Sequence, residues 1–354
     1  MSQSQHSGFV DLGTLAYLEN PGLEDIGRSP DEFLQKLTKP TLIKVKGKDA
    51  TRTRALATLL HGNEPSGFFA LHRWLSQQEK PSVNVLCFIG GVYPAKAGPG
   101  FFYRQLPDGK DLNRCFKEPF DSPEGQIAKA FLDVLHEEQP ECLIDIHNTS
   151  GTGPSFAVTI KNDAAHQALT SLFTERLIVT DLRLGALMEY SEKEVPTVTI
   201  ECGGAQDEHA HQAAYDGLLR YVNKHNVLSL EQAEWGIEVL THPVRIEIKE
   251  DAAIVYHQQA QATADITLPP DIEHLNFGVL QPDTLLGWLG NRGLNSLTAL
   301  NYQQTNIIEK ILRVEDGRLY PARPIKAFMI TTNPTIAKSD CLFYAVTDKG
   351  ESIT

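Results

Sequence analysis

No stretch of this chain approaches the ~18 consecutive apolar residues that a membrane-spanning helix needs, so no membrane partner is expected. No secretory leader is expected either: the opening MSQSQHSGFVDLG has neither the basic n-region nor the apolar h-region of one. The expectation is a cytoplasmic protein. Cysteine is scarce. The five residues Cys87, Cys115, Cys142, Cys202 and Cys341 are odd in number, widely spaced and contain no C-x-x-C pair. That argues against a disulfide framework and against a thiolate zinc site. Runs of Lys or Arg are absent as well, and the formal net charge is −13 with a pI near 5.4. A field of that sign repels phosphate backbones, so nucleic acid is not an expected partner. An acidic protein that takes an acidic substrate needs arginines inside its site. No repeat at solenoid periods and no low-complexity tract is found.

What is present is ordinary globular material. Apolar residues make up 41% and charged residues 22% of 354 positions, enough for one large α/β domain and a smaller one. Ser29-Pro30 opens a helix reaching Leu37, and a strand lies around Thr41–Lys46; these belong to a leading segment of roughly 45 residues. Short apolar runs then alternate with helical patterns. Ala55–Leu60 reads as a strand. Pro65 starts a helix with Phe68, Phe69, Leu71, Trp74 and Leu75 on one face, and Val83–Val92 is apolar enough for a strand buried on both faces. A Gly- and Pro-rich loop spans Tyr93 to Phe120, and Ser122-Pro123-Glu124 opens the next helix. Cys142–Ile146, Phe156–Ile160, Leu177–Val179 and Thr197–Ile200 are further strands, with helices near Asp163–Glu175 and Glu208–Asn223. The expected fold is α/β: a mostly parallel or mixed central sheet with helices on both faces. From Leu240 the pattern becomes period two, with Val244, Ile246 and Ile248 alternating with charged residues. This predicts a catalytic domain over 1–235 and a smaller β-rich C-terminal domain over 236–354.

Four constellations carry chemistry. His61-Gly62-Asn63-Glu64 lies between a buried strand and the Pro65 helix, at a strand's carboxyl end, where open α/β sheets bind ligands. A histidine and a glutamate three apart can face one point, and Gly62 permits the sharp turn that aims them. Taken alone, the same residues read as a surface histidine and a helix-capping carboxylate. Asp145-Ile146-His147-Asn148-Thr149 ends another apolar strand. Asp145 and His147 share a strand face, which suits a metal-binding histidine with a carboxylate beside it to orient the ring; Asn148 is the second candidate for such a supporting role. Together, His61, Glu64 and His147 supply three ligands and leave a fourth position for water, the open arrangement of catalytic zinc. The nitrogen and oxygen donors favour one Zn²⁺ per chain. Glu201, ending Thr197-Val198-Thr199-Ile200 before Cys202-Gly203-Gly204, could stand over the metal's water as proton acceptor and donor. Asp111-Leu112-Asn113-Arg114 supplies an arginine whose planar fork suits a substrate carboxylate, with Arg104 upstream. His209 and His211 fall two apart in a predicted helix and read as surface histidines.

These four motifs, in this order over roughly residues 50–240, resemble the succinylglutamate desuccinylase/aspartoacylase family, a branch of the zinc carboxypeptidase-like hydrolases. The resemblance implies zinc ligands His61, Glu64 and His147, with Glu201 as general base and acid, and Asn113 and Arg114 holding the substrate. It also implies an arginine that helps polarise the scissile carbonyl. Arg104 is the upstream candidate, across the apparent insertion Leu106-Pro107-Asp108-Gly109. A further arginine before Glu201 has Arg176 and Arg183 as candidates, and a C-terminal-domain tyrosine has Tyr256, Tyr302, Tyr320 and Tyr344. Leu60 stands where the family more often has a small or hydroxyl residue. The implied activity is hydrolysis of the amide of an N-acyl amino acid by zinc-activated water. The alternatives are a metallocarboxypeptidase with the same ligands, or a non-catalytic zinc-containing binding module. Acyl group, amino acid and homo-oligomer formation are left open by the sequence.

Overall fold

The computed structural model describes residues 8–193, 195–229, 236–301, 304–339, 341–347, 349 and 353. They form two compact units. The first comprises the chain through Asn148, Ser155–Leu177 and Leu182–Ile237; the second comprises Thr149–Pro154, Ile178–Asp181 and the chain from Glu238 onward. No helix among the described residues is long and apolar enough to cross a membrane.

The first unit begins with β1 (Val10–Leu12), β2 (Leu15–Glu19), α1 (Leu23–Ile26), α2 (Pro30–Lys36) and β3 (Thr41–Val45). Ser29 caps α2 as its composition suggests, its hydroxyl accepting from the Glu32 N–H. Next come β4 (Asp49–Thr58), α3 (Ser66–Ser76), β5 (Val83–Ile89), α4 (Val92–Lys96) and α5 (Pro123–Glu138), the last capped by Ser122. After them follow β6 (Leu143–Thr149), β7 (Phe156–Thr159), α6 (Ala164–Ser171), β8 (Arg176–Val179), β9 (Thr197–Gly204) and α7 (Glu208–Asn223).

The sheet order is β1-β2-β3-β5-β4-β6-β9-β7-β8. Pairing is mixed: β4 runs parallel to β5 and β6, whereas β3 with β5 and β7 with β9 are antiparallel. Helices cover both faces. Phe131 and Leu135 of α5 pack with Ala55, Ala57, Phe88 and Leu143 on one side. On the other, α3 lies so close that a Cβ on Gly67 would stand 2.2 Å from Thr58 Oγ1 and 2.8 Å from Ile146 Cβ. Glycine is required there by close approach rather than by backbone angle. All seven residues of β5 are buried, as its unbroken apolar run predicts.

Several boundaries differ from the sequence reading, each for a physical reason. The strand expected at Ala55–Leu60 starts six residues earlier and ends at Thr58. Its polar beginning is concealed by Arg54, fully buried because its guanidinium meets Glu141 and the carbonyls of Tyr221, Lys224 and His225. The strand read over Val83–Val92 stops at Ile89, and α4 begins at Val92 and runs to Lys96, into the segment read as loop from Tyr93. β6 continues past Ile146 to Thr149, and β9 continues through Glu201, which pairs with Phe156 of β7, to Gly204.

The second unit contains β10 (Glu238–Thr241), β11 (Val244–Ile248), β12 (Ile254–Tyr256), β13 (Ile266–Leu268), β14 (Val279–Leu280) and β15 (Gly287–Leu289). It continues with β16 (Leu297–Ala299), β17 (Leu312–Glu315), β18 (Arg318–Pro321), β19 (Ile325–Phe328) and β20 (Phe343–Thr347). Two sheets run β14-β19-β20-β11-β16 and β12-β13-β15-β18-β17. The alternation read in β11 is the observed one: Val244, Ile246 and Ile248 are buried in the unit's core. Thr149–Pro154 belongs to this unit by its contacts, for Glu273 Oε2 accepts from both the N–H and the hydroxyl of Thr152, at 2.8 and 2.9 Å.

Candidate metal centre

The site is built where β4 and β6 end. Leu59, buried just beyond β4, adopts φ 54°, a left-handed conformation that costs a residue with a Cβ of order 1–3 kcal/mol. It turns the chain into His61-Gly62-Asn63-Glu64, closed by the Glu64 N–H donating to the His61 carbonyl at 3.2 Å. Gly62 has no room for a side chain: a Cβ would stand 2.4 Å from the Ala95 nitrogen and 2.7 Å from the Tyr103 carbonyl oxygen. α3 then begins at Ser66. Leu60 points into the apolar cluster with Phe88 and Leu112.

His61, Glu64 and His147, all buried, present ligand atoms within 4.8 Å of one another. His147 Nδ1 lies 2.7 Å from Glu64 Oε2 and His61 Nδ1 lies 2.9 Å from Glu64 Oε1. The outer nitrogens are held by other carboxylates: His147 Nε2 by Asp145 Oδ2 at 2.7 Å, and His61 Nε2 by Asp111 Oδ1 at 2.9 Å. Each ring is thereby oriented with Nδ1 toward the shared point, the carboxylate–histidine arrangement that metal sites use. His61 Nδ1 is buried and, despite its distance to Glu64, makes no aligned hydrogen bond. A buried polar atom without a partner calls for an explanation. Two imidazole nitrogens and a carboxylate facing one point are a donor set that fits a divalent cation.

The electrostatics agree. Burial alone would raise Glu64 and lower His147, but they face each other and other charges. His61 and His147 hold Glu64 far below the usual carboxylate range, and Asp145 with Glu64 holds His147 well above an ordinary imidazole. Asp111, half-buried, is held below its usual range against the effect of burial by its bond to His61 and by Arg104 and Arg114.

Residues 50–224 match the model of the succinylglutamate desuccinylase/aspartoacylase catalytic domain. They belong to that family. Among solved structures, the chain is similar to a succinylglutamate desuccinylase/aspartoacylase from Rhodobacter sphaeroides (14% identity, 86% of this chain and 84% of that one, TM-score 0.52). It is likewise similar to the succinylglutamate desuccinylase of Vibrio cholerae (16% identity, 84% and 99% covered, TM-score 0.50). A third likeness is to the ectoine utilization protein EutE (DoeB) of Ruegeria pomeroyi (19% identity, 80% and 81% covered, TM-score 0.50). At these identities the likeness is one of fold. No curated protein sequence matches the chain.

The remaining predicted residues of this desuccinylase/aspartoacylase domain fall into two groups. Some converge on the cluster. Arg104 spans two carboxylates, Nη1 to Glu64 Oε1 at 3.0 Å and Nη2 to Asp111 Oδ2 at 3.1 Å, and its carbonyl accepts from Gly62 N–H. Asn148 is buried, and its N–H donates to Glu64 Oε2 at 3.3 Å. Glu201 is half-buried, with Oε2 enclosed and without a hydrogen-bond partner. Burial pushes it up to about 8; His147 and Arg104 oppose this, while Glu64 and Asp145 add to it.

Others are engaged elsewhere. Asn113 accepts from the Leu187 N–H at 2.9 Å, so its side-chain oxygen serves the fold. Arg114 Nη1 donates to the Asn113 carbonyl at 2.9 Å. Arg183 pairs with Glu192, and Arg176 reaches the Ser155 carbonyl at 3.5 Å. In the second unit, Tyr256 donates to the Thr331 carbonyl, Tyr320 lies under Arg313, and Tyr344 stacks on Phe328; Tyr302 lies outside the described residues.

Asp111 is the participant whose role sequence reasoning missed. It caps the 3-10 turn Leu112–Arg114 and, fifty positions from His61, orients that ring. The D-x-N-R motif contained it, but its first residue was read only as company for the arginine. His211 corrects the surface reading: its Nδ1 lies 2.7 Å from Ser66 Oγ and its ring meets Phe69, whereas His209 is exposed.

Proposed function

We propose that the chain is a zinc-dependent deacylase that hydrolyses the amide of an N-acyl amino acid, a small-molecule substrate. The observation that carries the reading is the convergence of two carboxylate-oriented imidazoles on Glu64, within electrostatic reach of Glu201, whose Oε2 is enclosed and unpartnered. His61, Glu64 and His147 would hold one zinc ion, which when bound supplies Lewis acidity and lowers the pKa of a coordinated water to ~7. Asp111 and Asp145 accept the Nε2 protons, which keeps each Nδ1 lone pair aimed inward. Glu201 takes the water proton on a carboxylate oxygen and passes it to the departing amine nitrogen. Arg104 supports charge developing on the scissile carbonyl oxygen, and Arg114 pairs with the carboxylate of the amino acid.

The test is amine release from a side-by-side panel of N-acetyl and N-succinyl amino acids and short peptides, repeated after chelation. Turnover of acyl amino acids that is lost on chelation and regained with zinc supports the proposal. Turnover of peptides alone would make the chain a carboxypeptidase. Zinc-loaded protein inert to the whole panel would make it a binding module.

A further inference from the structure

We infer that His211 is a positioning residue for the metal centre, acting through Ser66 on Asn148; the inference rests on the metal reading above. Asn148 joins three elements that carry site residues. Its Nδ2 donates to Ser66 Oγ at 2.7 Å and to the Gly203 carbonyl at 2.8 Å, and its Oδ1 accepts from the Ser66 N–H at 3.0 Å. Ser66 opens α3 two residues after Glu64, Asn148 follows His147 on β6, and Gly203 follows Glu201 by two on β9. One amide therefore ties together the backbones bearing Glu64, His147 and Glu201.

The donor inventory brings in a fourth element. Both Asn148 amide hydrogens are used, so Ser66 Oγ receives one of them and has its own proton left to give. The atom that faces it is His211 Nδ1 on α7, at 2.7 Å. We take His211 as the acceptor, in its Nε2–H tautomer; a proton on Nδ1 would instead make Ser66 Oγ accept twice. The Phe69 edge, with ring centroids 5.1 Å apart, holds the imidazole in place. A flipped Asn148 amide would set oxygen against the Gly203 carbonyl and NH₂ against the Ser66 N–H. The acceptor on α7 locks the hydroxyl and, through it, the amide that spaces β6 and β9 around the cluster. An α7-to-α3 pin with no consequence for the metal would use the same two atoms, and the two roles differ in what they predict.

The experiment measures zinc affinity by chelator competition on the full chain, with the visible spectrum of the cobalt(II)-loaded protein as a geometric readout. His211→Phe keeps an aromatic edge against Phe69 and removes the acceptor. His211→Asn returns an oxygen near the Nδ1 position. Outer partners of metal ligands typically govern 10–100-fold in affinity, and one step further out the expected loss for the Phe variant is ~10-fold, with an altered cobalt spectrum. His211→Asn should recover most of it. Ser66→Ala should weaken zinc similarly, and adding His211→Phe to it should cost little more, since both cut one chain. Should the Phe variant fail to fold, Ser66→Ala against wild type carries the same comparison. Wild-type zinc affinity and an unchanged cobalt spectrum in either variant, with a lowered melting temperature alone, would overturn the positioning role. So would an Asn variant no better than Phe. Failure of the wild-type chain to take up zinc would overturn the metal reading and this inference together, a result distinct from either of those.

Discussion

Asp145 and His147 stand two residues apart on β6, and the aspartate Oδ2 meets the imidazole Nε2 at 2.7 Å. A strand's alternation puts both side chains on one face, so a single strand delivers a ligand together with the group that aims it. Asp145→Asn leaves the shape unchanged and removes the charge. Zinc affinity is expected to fall ~10-fold or more, the usual consequence of losing such a partner. Chelator competition on the purified variant checks this, and an affinity equal to wild type would remove Asp145 from the orienting role.

Glu201→Gln keeps the size of the side chain and removes the proton acceptor. Zinc content should stay at one per chain while kcat falls ~10²–10⁴-fold, the range general acid–base groups supply. Elemental analysis beside steady-state kinetics decides it. A variant turning over at the wild-type rate would strip Glu201 of its function.

Arg114→Ala tests the substrate end. A charge-assisted contact worth ~1.5–3 kcal/mol corresponds to roughly 10- to 150-fold in KM, and kcat should fall as well if the contact tightens in the transition state. Arg114→Lys should recover only part, because an ammonium lacks the planar fork. Unchanged kinetics with a small loss of melting temperature would instead describe a structural arginine that serves Asp111 and the Asn113 carbonyl.

The metal-free protein should become less stable as pH rises through neutrality. His147 is held well above its ordinary 6.5, so its stabilising share is complete below that value and is lost as pH climbs through the raised one. Glu201 is pushed up from 4.5 to about 8. Between those values the folded chain keeps a proton that the unfolded chain releases, and stability again falls with pH. Glu64 and Asp111 are shifted the other way and act only in acid, below the ordinary carboxylate range. Melting temperatures of chelated protein across pH 5 to 9 should therefore decline more steeply for wild type than for Glu201→Gln. Parallel curves would contradict the Glu201 assignment.

The candidate metal cluster is legible because ligand-type residues interrupt apolar runs, and a strand end is where an α/β sheet exposes them. The order of elements in the first unit was legible for a similar reason: Ser29, Pro65 and Ser122-Pro123 mark helix starts, and β5 is apolar throughout. What escaped depends on contacts that no local pattern contains. Asp111 meets His61 across fifty residues. The buried Arg54 made the start of β4 look like loop. Glu201 reads as a strand's end, whereas it pairs with Phe156 of β7 and β9 runs on to Gly204. The two-apart spacing of His209 and His211 correctly set them on different sides of α7, but that spacing holds no information about Ser66 on α3.

Arg104 has a kinetic implication. Its side chain is 40% exposed, while those of His61, Glu64 and His147 are 4%, 8% and 2% exposed. The guanidinium is clasped by Glu64 Oε1, on the carboxylate that would coordinate a bound ion. An ion entering past the Arg104 side chain would have to shift that contact, and its exchange would then be governed by a local opening rather than by diffusion. Residence time and affinity become separate properties, and a substitution at Arg104 would hasten turnover of the bound ion in both directions.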